Sequence, residues 1–299
     1  MMLKLENAHK IYLLGREKME WVMFVILYLI FAVIFNQSYK VATKSLTKPG
    51  ALTILLEVIG SLSILLLIPF FEIKFPTDPK VYLFLGLSII FYTVNDRLNT
   101  TVRSGIEAST FSIIHQLATV FMIFAGILFF KDPFVLNKFI GALLIVFSNI
   151  LIFYKKGTGK PNKYIVLGVI ANIFFTVALF LDVNISDNFN LPIYTALTLG
   201  VPAILIFIFE RIKISDIKEE FKNGNKKAML ITSLSWSLSI VSQLRAYQLG
   251  NVSVVAPLCS LSVILNVVMG YFLLKERENL PKKVIAAILI ILGIILIRI

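Results

Sequence analysis

Residues 252–298, VSVVAPLCSLSVILNVVMGYFLLKERENLPKKVIAAILIILGIILIR, can be laid without a gap on residues 108–154, ASTFSIIHQLATVFMIFAGILFFKDPFVLNKFIGALLIVFSNILIFY, at a constant offset of 144 residues. Ser109 then meets Ser253, Gly126 meets Gly270, and Lys131-Asp132 meets Lys275-Glu276. Leu136 meets Leu280, Lys138 meets Lys282, and Ala142 meets Ala286. Each copy is an apolar span, a short charged turn containing an acid, and a second apolar span. A repeat of this size decides the architecture, because both copies must share one local structure.

The 299 residues are 58% hydrophobic and only 15% charged. Soluble domains are about 45–50% apolar and about 25% charged, so the composition is that of an integral membrane protein. The net charge of +12 would suggest nucleic acid in a soluble chain. Here the bases sit in short connections, where they orient helices and touch lipid headgroups, and no nucleic-acid partner is expected. The single cysteine, Cys259, excludes an internal disulfide and a CxxC metal site. No cofactor or metal is expected.

A spanning helix needs about 20 mainly apolar residues. Ten stretches qualify: 20–42, 50–71, 81–101, 105–130, 133–154, 163–183, 190–210, 228–248, 252–274 and 281–298. They divide the chain into a polar tail (1–19), a first five-helix unit (20–154), a polar linker (155–162) and a second five-helix unit (163–299). The stretch 211–227 spaces Ile214, Ile217 and Phe221 as one helical face among charges and predicts a short helix lying at the interface. Because five is odd, the second unit enters the membrane from the side opposite to the first. The expected fold is therefore all-α, with ten transmembrane helices in two inverted repeats, an arrangement that places a substrate site at the repeat interface. Of the 29 Lys and Arg residues, 19 fall at odd-numbered connections, so the positive-inside rule puts those connections in the cytoplasm.

Polar side chains in a bilayer are costly and mostly face the bundle interior. The third span carries Ser88, Tyr92, Asn95, Asp96, Asn99 and Arg103 at steps of three and four, one helical face. The eighth, 144 residues on, carries Thr232, Trp236, Ser239, Gln243 and Tyr247 at matching positions. Ser112, His115, Gln116 and Thr119 mark the fourth span, Cys259, Ser260 and Asn266 the ninth, and Pro257 breaks the ninth. Spans one and six add Asn36, Gln37 and Asn172. Spans five and ten are almost wholly Ile, Leu, Val and Phe, which leaves them to lipid or to a second copy in a homodimer. The candidate substrate-binding residues are Asn36, Tyr92, Asn95, His115, Gln116, Asn172, Trp236, Ser239, Gln243 and Ser260.

Each has a bland alternative, since amides and hydroxyls also bond neighbouring helices for about 1 kcal/mol or less. Asp96, His115 and Glu57 are the candidates for ion coupling. Against that, Glu57 can pair with Lys40 or Lys44, Asp96 can pair with Arg97 or sit at a solvated helix end, and His115 can be a neutral packing residue. Arg103 and Arg245 can snorkel or line the mouth of a cavity.

Ten spans in two copies, each with a Gly, a Lys-acid pair and a Gly/Ala-rich last helix, resemble the drug/metabolite transporter superfamily in its ten-helix EamA-type form. The resemblance covers about residues 20–298. It implies a basket of helices around a central cavity, lined by spans one, three, four, six, eight and nine, that carries metabolites across the cell (plasma) membrane without ATP. It also implies cytoplasmic termini, against the charge count, and reads Asp132 as the cap of helix five. HExxH, GxSxG, P-loop and paired intramembrane aspartates are all missing from the sequence, so no enzyme is expected. With no phosphate-binding Lys/Arg cluster at mid-span, the expected substrate is a small polar metabolite such as an amino acid or amine. The alternative is a lipid-linked or other amphiphilic substrate.

Overall fold

The computed structural model describes residues 2–118, 120–121, 135–153, 162–250, 255 and 258–298, with side chains from Glu20 onward except at 138, 149, 152, 153 and 298. Thr119, the Lys131-Asp132 turn with its cap before Pro133, most of the linker (155–161), Ser253 and Pro257 lie outside these residues.

Eleven helices are described: α1 (Met2–Ala42), α2 (Pro49–Ile64), α3 (Pro79–Gly105), α4 (Ala108–His115), α5 (Leu136–Phe153), α6 (Lys163–Ile185), α7 (Leu191–Phe209), α8 (Ile214–Asn223), α9 (Lys226–Leu249), α10 (Ser262–Leu273) and α11 (Leu280–Arg298). Among the described residues there is no strand. Four of the described helix starts fall where the sequence supplies an Asp or Asn cap. Asp78 accepts from the Lys80 N–H, Asn162 from Tyr164, Asn190 from Ile193 and Asn225 from Ala228. Each side chain satisfies an N–H that the first turn cannot. Pro49, Pro79 and Pro192 sit in the first turn, where no donor is missed.

Among the described residues, six helical stretches are long and apolar enough to cross a membrane: Glu20–Ser45, Pro49–Phe70, Pro79–Gly105, Lys163–Asn188, Leu191–Phe209 and Leu280–Ile297. The helix α9 has the length, at 24 residues, but its Ser, Thr and Gln residues lower its hydropathy. Those side chains are buried instead (Thr232, Ser233, Ser235, Ser237, Ser239 and Ser242). The short helix expected in 211–227 forms as α8, with Ile214 and Phe221 exposed and Ile217 packed against the cluster of Ile54, Ala203 and Ile206.

The packing is unchanged when the halves are exchanged. α1 runs along α9 as α3 runs along α6, while α2 pairs with α7, α4 with α10 and α5 with α11. The α5–α11 pair closes on two glycines, and a Cβ on Gly141 would lie 2.3 Å from the Gly293 carbonyl oxygen. Its outer face (Leu143, Phe147, Ile150, Leu292 and Ile295) stays exposed.

One end of the bundle is stitched across. Glu220 accepts from the N–H of Thr47 (3.0 Å) and of Lys48 (3.0 Å) and from the Thr47 hydroxyl. Glu276 accepts from the N–H of Ala108 (2.8 Å) and of Ser109 (3.1 Å) and from the Ser109 hydroxyl. Arg97 pairs with Glu210 at 2.5 Å, Lys48 with Asp216 at 2.7 Å, and the buried Lys283 with Glu107. These groups all belong to the odd-numbered connections or the helix ends beside them. The other end is held by Asn190, whose amide donates to the Phe71 and Glu72 carbonyls, and by the exposed Lys74–Asp187 pair at 3.4 Å.

Candidate functional site

Between the halves lies a cavity of about 110 Å³, walled by α1, α3, α4, α6, α7, α9 and α10. The register of the long helices explains its polar lining. Residues three and four apart share a face, so α3 presents Tyr92, Asn95, Asp96, Asn99 and Arg103, and α9 presents Trp236, Ser239 and Gln243. The pairs Tyr92/Trp236, Asn95/Ser239 and Asn99/Gln243 stand one repeat offset apart, and both members of each pair reach the same space.

Arg103 is the cation of the cavity. It is 4% exposed, its guanidinium lies 3.7 Å from the Phe111 ring centroid, and the Phe35 and Tyr39 rings stand at 4.8 and 4.7 Å. It donates to the Asn36 side-chain oxygen at 2.7 Å. Trp236 stacks on Phe35 at 5.4 Å, which completes an aromatic wall. A guanidinium held flat among rings keeps its remaining N–H groups for an acceptor such as a carboxylate.

Farther along α3, Asp182 of α6 is wholly buried and accepts three hydroxyls: Ser88 at 2.6 Å, Tyr92 at 2.7 Å and Tyr194 at 2.5 Å. Three hydroxyl donors from two neighbouring helices fix this carboxyl in place. Asp182 was not legible as a site residue, because an acid in the last turn of an apolar span reads as a helix end. Its only signal was the pair of hydroxyls on α3 that face it. Phe35, Phe111 and Phe175 were likewise hidden among 25 phenylalanines.

Of the candidates named from sequence, Asn36, Tyr92, Asn95, Asp96, His115, Gln116, Trp236, Ser239 and Gln243 lie on the cavity wall. Asn172 and Ser260 are buried off it, and Ser262 stands on the wall in place of Ser260. Asn172 donates to the Gly168 carbonyl at 2.7 Å and lies against His115. Two expected pairings are corrected. Glu57 does not meet Lys40, whose ammonium donates to the Arg103 carbonyl at 2.8 Å, nor Lys44, which is exposed; it lies beside Asp96. Asp96 does not pair with Arg97, which turns outward to Glu210. Arg245 leaves this cavity altogether and borders a larger groove on another face of α9.

Comparison with protein families finds the same repeat. The EamA-like transporter family matches residues 19–154 and again residues 162–299. The chain belongs to the EamA-like transporter family. A search of curated proteins returned no match. A solved crystal structure superposes with a TM-score of 0.55 at 11% identity, over 92% of this chain and 95% of its own; at that identity the likeness concerns the fold alone. An EamA-like chain is a multi-pass membrane protein and a transporter of the drug/metabolite type, and the cavity between its halves is the natural candidate for the transport site. Among the described residues no cluster of His, Cys, Asp and Glu is placed to hold a metal.

Proposed function

We propose that this EamA-like protein is a secondary carrier for a small polar metabolite bearing an amine, such as an amino acid, working by alternating access without ATP. In this reading ten helices cross the plasma membrane as two inverted five-helix units, 20–154 and 163–299, with the odd-numbered connections in the cytoplasm. The observation that carries it is a central cavity between the halves that holds both kinds of anchor. Arg103 in its aromatic cradle suits a carboxylate or other acceptor, the Asp182 and Asp96 carboxyls suit an ammonium, and Trp236 and Phe35 suit an apolar or cationic body. Asn95, Gln116, Ser239 and Gln243 supply the orienting hydrogen bonds, with His115 beside them.

A thermal-stability screen of the purified protein against amino acids, amines, nucleosides and sugar derivatives tests this. A ligand at about 100 times its Kd stabilises the folded state by about 2.7 kcal/mol. A shift from an amino acid or amine that disappears in Trp236→Ala and Gln116→Ala supports the carrier. A panel without any shift speaks against it.

A second reading, transport of a lipid-linked amphiphile, is favoured by one feature. A groove of about 880 Å³ runs between α1, the segment 67–74 that follows α2, the start of α7 and α9, with Phe24, Leu27 and Phe31 along its wall and Glu20, Glu72, Lys74 and Arg245 at its polar margin. A shift produced only by acylated or prenyl-linked compounds favours this alternative. Lipid, or a second copy in a homodimer, covers the outer face of α5 and α11 in either case.

A further inference from the structure

Glu57 is a fully buried acid inside a membrane-spanning helix that the substrate reading leaves unused. It sits in the interior of α2, is 0% exposed, and does not line the cavity. Among the described residues neither of its oxygens meets an N–H or O–H donor. What lies within hydrogen-bonding reach is another carboxyl, that of Asp96. Asp96 faces the other way as well: it lines the cavity and takes the Asn95 amide at 2.7 Å.

Two carboxylates cannot touch in a low-dielectric interior while both are charged. The arrangement is satisfied by one proton between them, as O–H···O⁻, which is also the only donor that Glu57 is offered. The charges around the pair are few. From α3 comes Arg103, from α6 Asp182 acts on Asp96, and from α1 the Tyr39 hydroxyl is occupied by Thr100. Of the other helices packed on α2, α7 contributes only Tyr194, already spent on Asp182. Between Ala228 and Leu244, α9 has no ionisable side chain, and of the three α8 acids Asp216 and Glu220 are committed to Lys48 and Thr47 while Glu219 is exposed. Arg103 therefore offsets one negative charge. With its proton the site holds one further negative charge, and without it two.

We propose that Glu57 and Asp96 form a single-proton site, with Asp96 the gate to the cavity and Glu57 the holder behind it, and that its proton is exchanged for the ammonium group of the substrate. The proton leaves the shared O–H for water in the open cavity, the pair becomes doubly negative, and a cation takes its place. Rebinding of a proton from the other side expels the cation. The exchange rests on the amine-carrier reading above; the proton site itself does not.

Infrared difference spectroscopy of the purified protein in lipid, taken through a pH change, tests the site without any substrate. A protonated-carboxyl band at neutral pH that is lost in Glu57→Gln and in Asp96→Asn, and kept in Asp182→Asn, supports it. No such band in the wild type, or a band that survives both substitutions in folded protein, overturns it. For the exchange, proteoliposomes loaded with a pH dye are challenged with lysine, choline or phenylethylamine. Proton release by the wild type that Asp96→Asn abolishes supports antiport, and binding of a probe with no proton release overturns it. If none of the three amines binds, the amine-carrier reading fails and takes the exchange with it, while the infrared band still decides the proton site.

Discussion

Arg103 and Asp182 show how single side chains are made fit for a membrane interior. The guanidinium is desolvated but faces three rings and an amide oxygen, so its planarity matters as much as its charge. Lysine carries the charge as a compact, strongly hydrated point and cannot stack in the same way. Arg103→Lys is accordingly expected to lower stability by about 1–3 kcal/mol and to remove the melting shift given by carboxylate-bearing ligands while sparing that of simple amines. Thermal melts of both proteins with the same ligand panel check this. Asp182 is held by hydroxyls from two other helices, so removing one donor leaves it two. Tyr194→Phe should cost about 1–2 kcal/mol, near the upper end for interhelical bonds in membranes. A double-mutant cycle with Asp182→Asn should recover most of that as coupling energy; strict additivity would mean that the bond contributes nothing.

At the scale of elements, small residues and acids set how helices meet. Gly141 and Gly293 let α5 and α11 cross with backbone against backbone, and no side chain fits between them. Gly141→Val is expected to destabilise the protein by about 1–3 kcal/mol through overpacking, read as a lowered melting temperature. Glu276 caps α4, the short helix that carries Phe111, Ser112 and His115 to the cavity. Beside it, burial pushes the Glu107 carboxyl above its ordinary range while Lys283 pulls it back. A carboxyl raised in the folded state adds stability that is full below the unfolded pKa of about 4.3 and is lost as pH rises through the folded value. Glu107→Gln should therefore flatten the fall in melting temperature above pH ~4.3, a change visible in melts across a pH series.

For the whole molecule, the stitching between the described residues is lopsided. Among them, the end formed by the odd-numbered connections carries the capping acids Glu220 and Glu276 and the ion pairs of Lys48, Arg97 and Lys283, whereas the other end shows the exposed Lys74–Asp187 pair and the Asn190 clasp. Under the proposed alternating access, those ties would break together when the cavity opens at that end. In a Cys259→Ser background, a cysteine placed at Ser239 should react with a membrane-impermeant reagent from the loosely tied side. Adding Glu220→Gln and Glu276→Gln should shift that labelling toward the tightly tied side. Unchanged labelling would mean that the capping acids hold helices without gating the cavity. A cysteine in the 155–163 stretch, labelled in intact cells, reports which end faces the cytoplasm.

Sequence alone determined the membrane class, the two-copy plan and which face of each long helix is polar. These are properties of periodicity and composition, and a helix in lipid must obey both wherever it packs. It marked Tyr92, Asn95, Asp96, Trp236, Ser239 and Gln243 because matching stripes on two repeat-related spans have one economical use, a shared interior. Only the tertiary structure decided who meets whom. It turned Glu57 from an expected lysine partner into the neighbour of Asp96, sent Arg97 outward and Arg103 inward on the same helix, and raised Asp182 from a helix end to the most heavily bonded acid of the cavity. The physical reason is that a partner's identity depends on the depth and rotation of helices far apart in the chain, and no spacing within one helix records either.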